Sequence, residues 1–572
     1  MSNKPASKIL LSVFIFFSSF SLNAGATTDF QALTDSYIKS WAEFYPSAAF
    51  SKGLTSAAFQ FEDFSGDRIG HWLQYNREVA ARIQAQKSNL SLEQRLNAEV
   101  LQRQIKREFE RWEHDKVQAN HPIWYAELIS QALTYILVGD QLAPHEKARA
   151  LKKRLQGIDK LCHYAINTLR NGSPERTRRS LQVLERTLAF YQNNLPQLTR
   201  DWAGDDKQKQ LQTATRNTAT RINDLLDHIR QQVLPKATLS DYFGVQAYTR
   251  KLQIDVDLTP AQLAARAAQE IDDVRRLMAV EARGWWEDNG KKVPEKSLLT
   301  AAITTMEENR VDNREDFLDS FVKLTHAAEA FVIKHDLATV PQPRTLYIGL
   351  SPDHFSGAAY GGVYPAGPFN PEADTLFYLP TIPDAAPEQQ KAGFYRSFNT
   401  HFNTMIIAHE MLPGHYMQYK IAVQQAPPVR ALFADGVYVE GWGTFSEKLM
   451  LDAGWGGGDR LTRLAHLRKR LENATRAYVS VKVHTENWRK QQLLDFATTR
   501  GLLAPQFATN LWHRVINNPL QITTYFLGFH GFKSLWREEQ DRLGEKFNTK
   551  SLVDAVLAAG PIPIDALGGI VR

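Results

Sequence analysis

From about residue 29 to 340 apolar side chains recur at helical spacing, a pattern that a stack of amphipathic helices satisfies and a sheet does not. Ser91 to Asp115, SLEQRLNAEVLQRQIKREFERWEHD, is one such run. Gln94 stands three residues after Ser91, a capping-box start, and apolar positions follow at helical intervals. Thr259-Pro260 opens another, AQLAARAAQEIDDVRRLMAVEARGW, with Pro at the first helical position. The charged faces of these helices read as solvated surface. No unit of roughly 20–50 residues recurs, so the stack is not a repeat array.

The composition changes near Val340. Residues 340–382 are rich in Pro, Gly, Tyr and Phe, and within them Arg344 to Leu350 and Thr375 to Leu379 read as short strands around a Gly-rich loop. No Lys-Ser/Thr pair follows the glycines at a helix start, so the loop is not a phosphate-binding P-loop. Its tyrosines, Tyr360 and Tyr364, either join an aromatic mini-core or line a substrate cleft. Helices resume at Pro387, and Gly454 to Asp459 (GWGGGD) reads as a C-terminal turn. The expected fold is mainly α, with a small β element near residues 344–380.

The first 26 residues stand apart. Lys4 and Lys8 precede an apolar stretch, Ile9 to Leu22, and Ala24-Gly25-Ala26 closes it, the order of a secretory signal peptide. The stretch is too short and wrongly flanked for a transmembrane helix, and no Cys follows it to carry a lipid anchor. Net charge is +6 for the whole chain and +4 without Lys4 and Lys8, with both signs interspersed. No basic stripe with interleaved aromatics is present, so nucleic acid is not an expected partner. The single Cys, Cys162, has no partner for an internal disulfide and reads as a buried apolar filler. Export without disulfides fits a bacterial periplasm.

One short stretch carries chemistry. His409-Glu410-Met411-Leu412-Pro413-Gly414-His415 sets two imidazoles and an acid behind an apolar helical run. In the HExxH arrangement the two His lie at i and i+4 and share a helix face, with Glu as general base. Here they lie at i and i+6, about 120° apart on a regular helix, too far round to share one ion. Pro413 removes a backbone donor and Gly414 permits unusual torsions, so the helix is expected to break between them. A catalytic zinc takes three protein ligands, and the natural third is Glu440 in YVEGWGTFSEKLML, 25 residues after His415. Glu440, Thr444 and Glu447 share one helix face, and Glu447 suits the task of orienting a ligand His through its other ring nitrogen. Glu410 would take a proton from zinc-bound water. Tyr525 and His484 are candidates to donate to the developing oxyanion. His401, His466 and His530 have no partner at ligand spacing and read as structural.

HEMLPGHYMQ (His409 to Gln418), VEGWGTFSE (Val439 to Glu447) and PLQITTYFLG (Pro519 to Gly528) resemble, in this order, the HExxPGHxxQ, EGWxxYxE and PxQxxxYxxG signatures of domain-of-unknown-function family 885. Thr259-Pro260 and the Pro-Ile-Pro-Ile-Asp ending are also similar to that family, so the likeness covers most of the mature chain. The resemblance implies a large, helical, two-lobed zinc metallopeptidase whose catalytic half is similar to thimet oligopeptidase and neurolysin. It implies a helical amino-terminal lobe over 27–340 and a catalytic lobe over 341–572 within one continuous family domain. It further implies His409, His415 and Glu440 as metal ligands, Glu410 as general base, Tyr525 as oxyanion donor, and Tyr360 facing the cleft. Arg476 and His484 match family positions, with Arg476 beside substrate. Two departures stand out: Ser480 replaces a common Asp, and Phe445 replaces the usual Tyr of the second motif.

The function so indicated is an exported, zinc-dependent hydrolase of peptide bonds in short peptides. Two alternatives stay open at this point: a zinc hydrolase of a non-peptide amide or ester, and a helical peptide-binding scaffold without catalysis. A two-His-one-carboxylate triad also suits non-haem iron, but the adjacent Glu and the expected export favour zinc. The exo- or endopeptidase mode and the oligomeric state are not legible.

Overall fold

The computed structural model describes residues 18–351 and 362–571, with side chains from residue 29 onward. Residues 1–17 of the expected signal segment lie outside the described residues, as does Tyr360; from Ser18 the chain is helical to Phe44. The helix starts follow the sequence signals. Ser91 accepts from the Gln94 backbone at 3.3 Å while the Gln94 side chain accepts from the Ser91 N–H at 2.9 Å, opening the helix Leu92–Phe109. Thr259 and Gln262 repeat the exchange at the head of the helix Pro260–Asp288. Each reciprocal pair satisfies two backbone donors that a helix start leaves without partners.

The fold is mainly α, with one small sheet. Strands β1 (Leu346–Leu350), β2 (Gly362–Tyr364) and β3 (Thr375–Leu379) lie in the order β1-β3-β2. β1 runs parallel to β3, with Leu346 opposite Thr375; β2 runs antiparallel to β3, with Tyr364 opposite Leu376. Thr375, Phe377 and Leu379 are buried, as the two-residue period of a strand with one covered face requires. On the other face Tyr378 meets Tyr347 and Tyr364, each at 5.9 Å between ring centroids, and Tyr364 meets Tyr135 edge-on at 5.6 Å.

One continuous apolar core runs from Phe30 to Leu567. The helix Pro260–Asp288 packs along the helix Arg460–Glu486, and Gly436–Asp452 packs on Thr524–Leu543. The last two helices touch backbone to backbone: a Cβ on Gly441 would lie 2.3 Å from the Gly528 Cα. That close approach sets Glu440 and Tyr525, each near the crossing, on adjoining helices. A smaller core, including Val479, Val483, Leu493, Trp512 and Val515, lies under the carboxy-terminal part of the long helix Arg460–Glu486. Arginines tie the early helices to the late ones. Arg103 donates to Asp435 at 3.0 Å, and Asp435 caps the helix that carries Glu440. Arg176 donates to the Ile516 carbonyl at 2.9 Å. Cys162 is buried and free, as its helical setting suggests. Among the described residues no single helix is long and apolar enough to cross a membrane.

Candidate metal centre

The helix Thr400–Glu410 ends one residue after His409, and a second helix, His415–Gln425, begins at the other His. Met411, at φ −112° and ψ −91°, leaves the helical region, and the Leu412–Pro413 bond is cis. The expected break is therefore present. Trp442 of the second motif holds it in place, its indole N–H donating to the Pro413 carbonyl at 2.9 Å.

The break lets both imidazoles face one point. His409 Nδ1 donates to Glu447 Oε1 at 2.8 Å, and His415 Nδ1 donates to the Gln418 side-chain oxygen at 3.2 Å. Each ring is thereby held from behind with Nε2 turned inward, the tautomer a metal ligand needs. Glu440 Oε2 lies 3.8 Å from His409 Nε2 and 3.5 Å from His415 Nε2, and the three ligand atoms all fall within 4.8 Å of one another. Donors at about 2.0–2.1 Å from one tetrahedral ion lie some 3.3 Å apart, so the spacing suits a shared ion better than direct hydrogen bonds. The set of two imidazoles and one carboxylate fits zinc in a hydrolytic site. Gly443 makes room for it: a Cβ there would sit 2.8 Å from the His409 ring.

Glu447 is fully buried and spends its second oxygen on His466 Nδ1, also at 2.8 Å. One carboxylate thus clamps a candidate ligand to a second, non-ligating His. Burial opposes charge throughout this cluster. Nevertheless His409 and His415 hold Glu440 well below the usual carboxylate range, and Glu440, Glu447 and Glu410 push the His409 imidazole up to about 10. The cluster therefore stabilises positive charge strongly at its centre.

Around the three lie groups with free chemistry. Glu410 is half-buried, and among the described residues it has no hydrogen-bond partner. Tyr525 stacks near His409, with centroids 6.4 Å apart. Burial and the nearby Glu440 raise the pKa of its phenol, against Arg476 and Arg514, so Tyr525 keeps its proton and can donate it in a hydrogen bond. The Arg476 guanidinium lies 5.3 Å from the Tyr525 ring. Gln521 Nε2 lies 3.4 Å from both Glu440 and Tyr525 and so bridges them.

His484 does not join this group. It is buried on the helix Arg460–Glu486, where Nε2 donates to the Val515 carbonyl at 2.8 Å and Nδ1 accepts from the Phe243 N–H at 3.2 Å. Both ring nitrogens are spent on backbone, which corrects the expectation of an oxyanion donor. Ser480, one turn earlier, binds the Pro519 carbonyl and the Tyr248 hydroxyl and anchors the third motif. Phe445 packs among Trp442, Phe532 and Trp536. Tyr364 lies on β2, in the tyrosine row beside Tyr135.

Four residues near the centre escaped the sequence reading. Gln418 and Tyr419 follow His415 by three and four positions, so helical spacing alone could have flagged them; the Tyr419 ring lies 5.8 Å from that of His415. Gln521 stands in the third motif. Arg514, which donates to Gln521 at 3.0 Å, carries no local signal.

Two solved structures share this fold. A candidate lipoprotein of unknown function from Shewanella oneidensis superposes with a TM-score of 0.79 at 18% identity, covering 94% of this chain and 98% of its own. A candidate lipoprotein from Colwellia psychrerythraea superposes at 0.74 and 16% identity, covering 95% and 98%. No curated protein matches the sequence. The model of the family DUF885, bacterial proteins of unknown function, matches residues 46–571, nearly the whole described chain, and the protein therefore belongs to DUF885.

Proposed function

We propose that this chain is an exported, zinc-dependent metallopeptidase acting on short peptides. The observation that carries the reading is the convergence of His409 Nε2, His415 Nε2 and Glu440 Oε2 within 4.8 Å, with Glu410 adjoining and unbonded among the described residues. Zinc held by these three would acidify water to a pKa of about 7 and polarise a carbonyl. Glu410 accepts the proton of the attacking water and passes it to the departing amine as the C–N bond breaks, so that one water is consumed per peptide bond. Tyr525 donates its hydroxyl hydrogen to the carbonyl oxygen as charge gathers there. Glu447 and Gln418 keep both ligand rings in register. Export is supported by the charge-apolar-small order of the first 26 residues and by the description of both structural relatives as candidate lipoproteins.

Metal analysis and digestion of a mixed peptide library, with and without chelator, test the reading. About one zinc per chain is expected from one His2Glu site. Glu410→Gln should keep the metal and lose about 10²–10⁴-fold in hydrolysis, and His409→Ala should lose the metal. Chelator-insensitive cleavage, or an unchanged rate in Glu410→Gln, removes the assignment.

A further inference from the structure

A cavity of about 590 Å3 lies among the early helices, within the size range of a ligand site. Trp41, Tyr45, Phe64, Trp124 and Phe433 give it aromatic walls, and Glu62, Glu108 and Arg111 give it charge. Tyr135 and Tyr364, in edge contact with each other, also line it. Leu432 and Phe433, also in its lining, stand just ahead of the helix Gly436–Asp452 that carries Glu440. That short stretch of chain links the cavity to the helix of the candidate metal centre.

Counting hydrogen-bond capacity shows what the cavity offers a ligand. Glu108 is 0% exposed and accepts from five donors. Tyr45 Oη at 2.5 Å, Trp72 Nε1 at 2.8 Å and Trp112 Nε1 at 3.0 Å reach one oxygen; Gln104 at 2.8 Å and Arg111 at 3.4 Å reach the other. A carboxylate has about four lone-pair sites, so Glu108 is saturated. Glu62 is buried and takes the Ser47 N–H at 3.0 Å and the Ser47 hydroxyl at 2.5 Å. Arg154, behind Ser47, spends its nitrogens on Ser47 and the carbonyls of Ala57, Ala58 and Ala132. Arg111 differs. Its Nη1 is pinned by Glu108 and by the Tyr45 hydroxyl at 3.0 Å, its side chain is 40% exposed, and its other N–H groups have no acceptor among the described residues. Glu62 keeps lone pairs to spare, and the spare cationic donor among the lining residues is the Arg111 guanidinium edge, held in fixed orientation beside aromatic walls.

We propose that Arg111 binds the α-carboxylate of a peptide whose last side chain is large and apolar, so that cleavage falls near the carboxyl end. A planar guanidinium with one edge fixed and one edge open matches a carboxylate with two parallel N–H···O bonds. The aromatic walls cover the terminal side chain without asking for polar partners. The class of substrate rests on the peptidase reading; the carboxylate site itself does not.

The test uses two tetrapeptides of one sequence ending in Phe, one with a free carboxylate and one amidated. With wild-type protein kcat/KM should favour the free acid on the order of 10- to 100-fold, the worth of a charge-assisted pair, chiefly through KM. Arg111→Gln should abolish that preference and Arg111→Lys keep part of it, with melting temperature and zinc content as controls for folding. Equal cleavage of acid and amide by the wild type overturns the proposal while leaving the peptidase reading intact, and needs no variant. A preference that survives Arg111→Gln also overturns it. If neither peptide is cleaved, calorimetric binding of the same pair decides: an Arg111-dependent preference for the acid upholds the site without the hydrolase, and equal or absent binding sinks it.

Discussion

Two carboxyl groups in this molecule, one fully buried and one half-buried, face opposite situations. Glu108, among the early helices, is surrounded by five donors, most at ordinary hydrogen-bond distance. Glu440, between the two ligand candidates, has its nearest partners at 3.4, 3.5 and 3.8 Å. Glu108 is shut off from water and Glu440 only partly so, and a carboxylate drawn into the interior must be compensated. At Glu108 the protein supplies the whole compensation, and the acid is structural. At Glu440 compensation comes from two imidazoles held at a distance by Glu447 and Gln418, an arrangement suited to a cation between them. Burial alone therefore does not identify a functional acid; the distance and identity of its partners do. The same distinction separates Arg154, bonded through all three nitrogens, from Arg111, bonded through one.

The largest expected effect tests the structural side of this contrast. Glu108→Ala leaves donors on Tyr45, Trp72 and Gln104 without an acceptor, while Trp112 keeps only the Tyr45 hydroxyl, a loss of about 3–5 kcal/mol in stability by analogy with broken buried pairs. Denaturant unfolding should show it while zinc content is unchanged; a variant as stable as wild type would erase the difference between the two acids. Tyr525→Phe tests the reactive side. Removing one donor to an oxyanion lowers kcat by about 10²–10³-fold, with zinc content and KM little altered. A fall in metal content instead would make Tyr525 part of the site's scaffold. Glu447→Gln is the smaller, indirect change. Loss of the anion behind His409 should weaken zinc binding about 10–100-fold in competition with a chelator, and undiminished affinity would mean that packing alone holds the ring.

Much of this was legible in the sequence, for reasons that differ by residue. Ser91 and Thr259 announce their helices because capping is settled within three residues. β1 and β3 follow from short apolar runs, whereas β2, Gly362–Tyr364, is too brief to carry a period. His409, His415 and Glu447 could be arranged from helical spacing and one helix breaker. His466 could not, because its role is set by the oxygen of Glu447 that His409 leaves over, 19 residues away in the chain. His484 misled because a polar residue on a helix near motif positions says nothing about which neighbours it meets; Val515 and Phe243, both distant in sequence, decide that. The Arg111 edge is hidden for the same reason: whether an arginine is spent depends on acceptors drawn from several helices.

His484 supplies the most discriminating small effect. Burial, reinforced by Arg176 and opposed by the Val515 carbonyl, lowers its imidazole to about 4, against about 6.5 in an unfolded chain. Between these values the unfolded state binds the proton first. Its contribution to stability is therefore complete above about pH 6.5 and is lost as pH falls toward 4, at up to about 1.4 kcal/mol per pH unit. His530, pushed down to about 4 by burial, adds a parallel loss, so the test must compare slopes rather than a single midpoint. His484→Gln can still donate to Val515 and accept from Phe243 but cannot titrate. Its unfolding free energy should fall less steeply between pH 6.5 and 4 by about one proton, and its hydrolytic rate at pH 7 should stay near that of wild type. An unchanged slope would mean that His484 is not held neutral by the fold. A collapse of hydrolysis with the zinc and the fold intact would return His484 to the reactive side of the comparison, beside Tyr525.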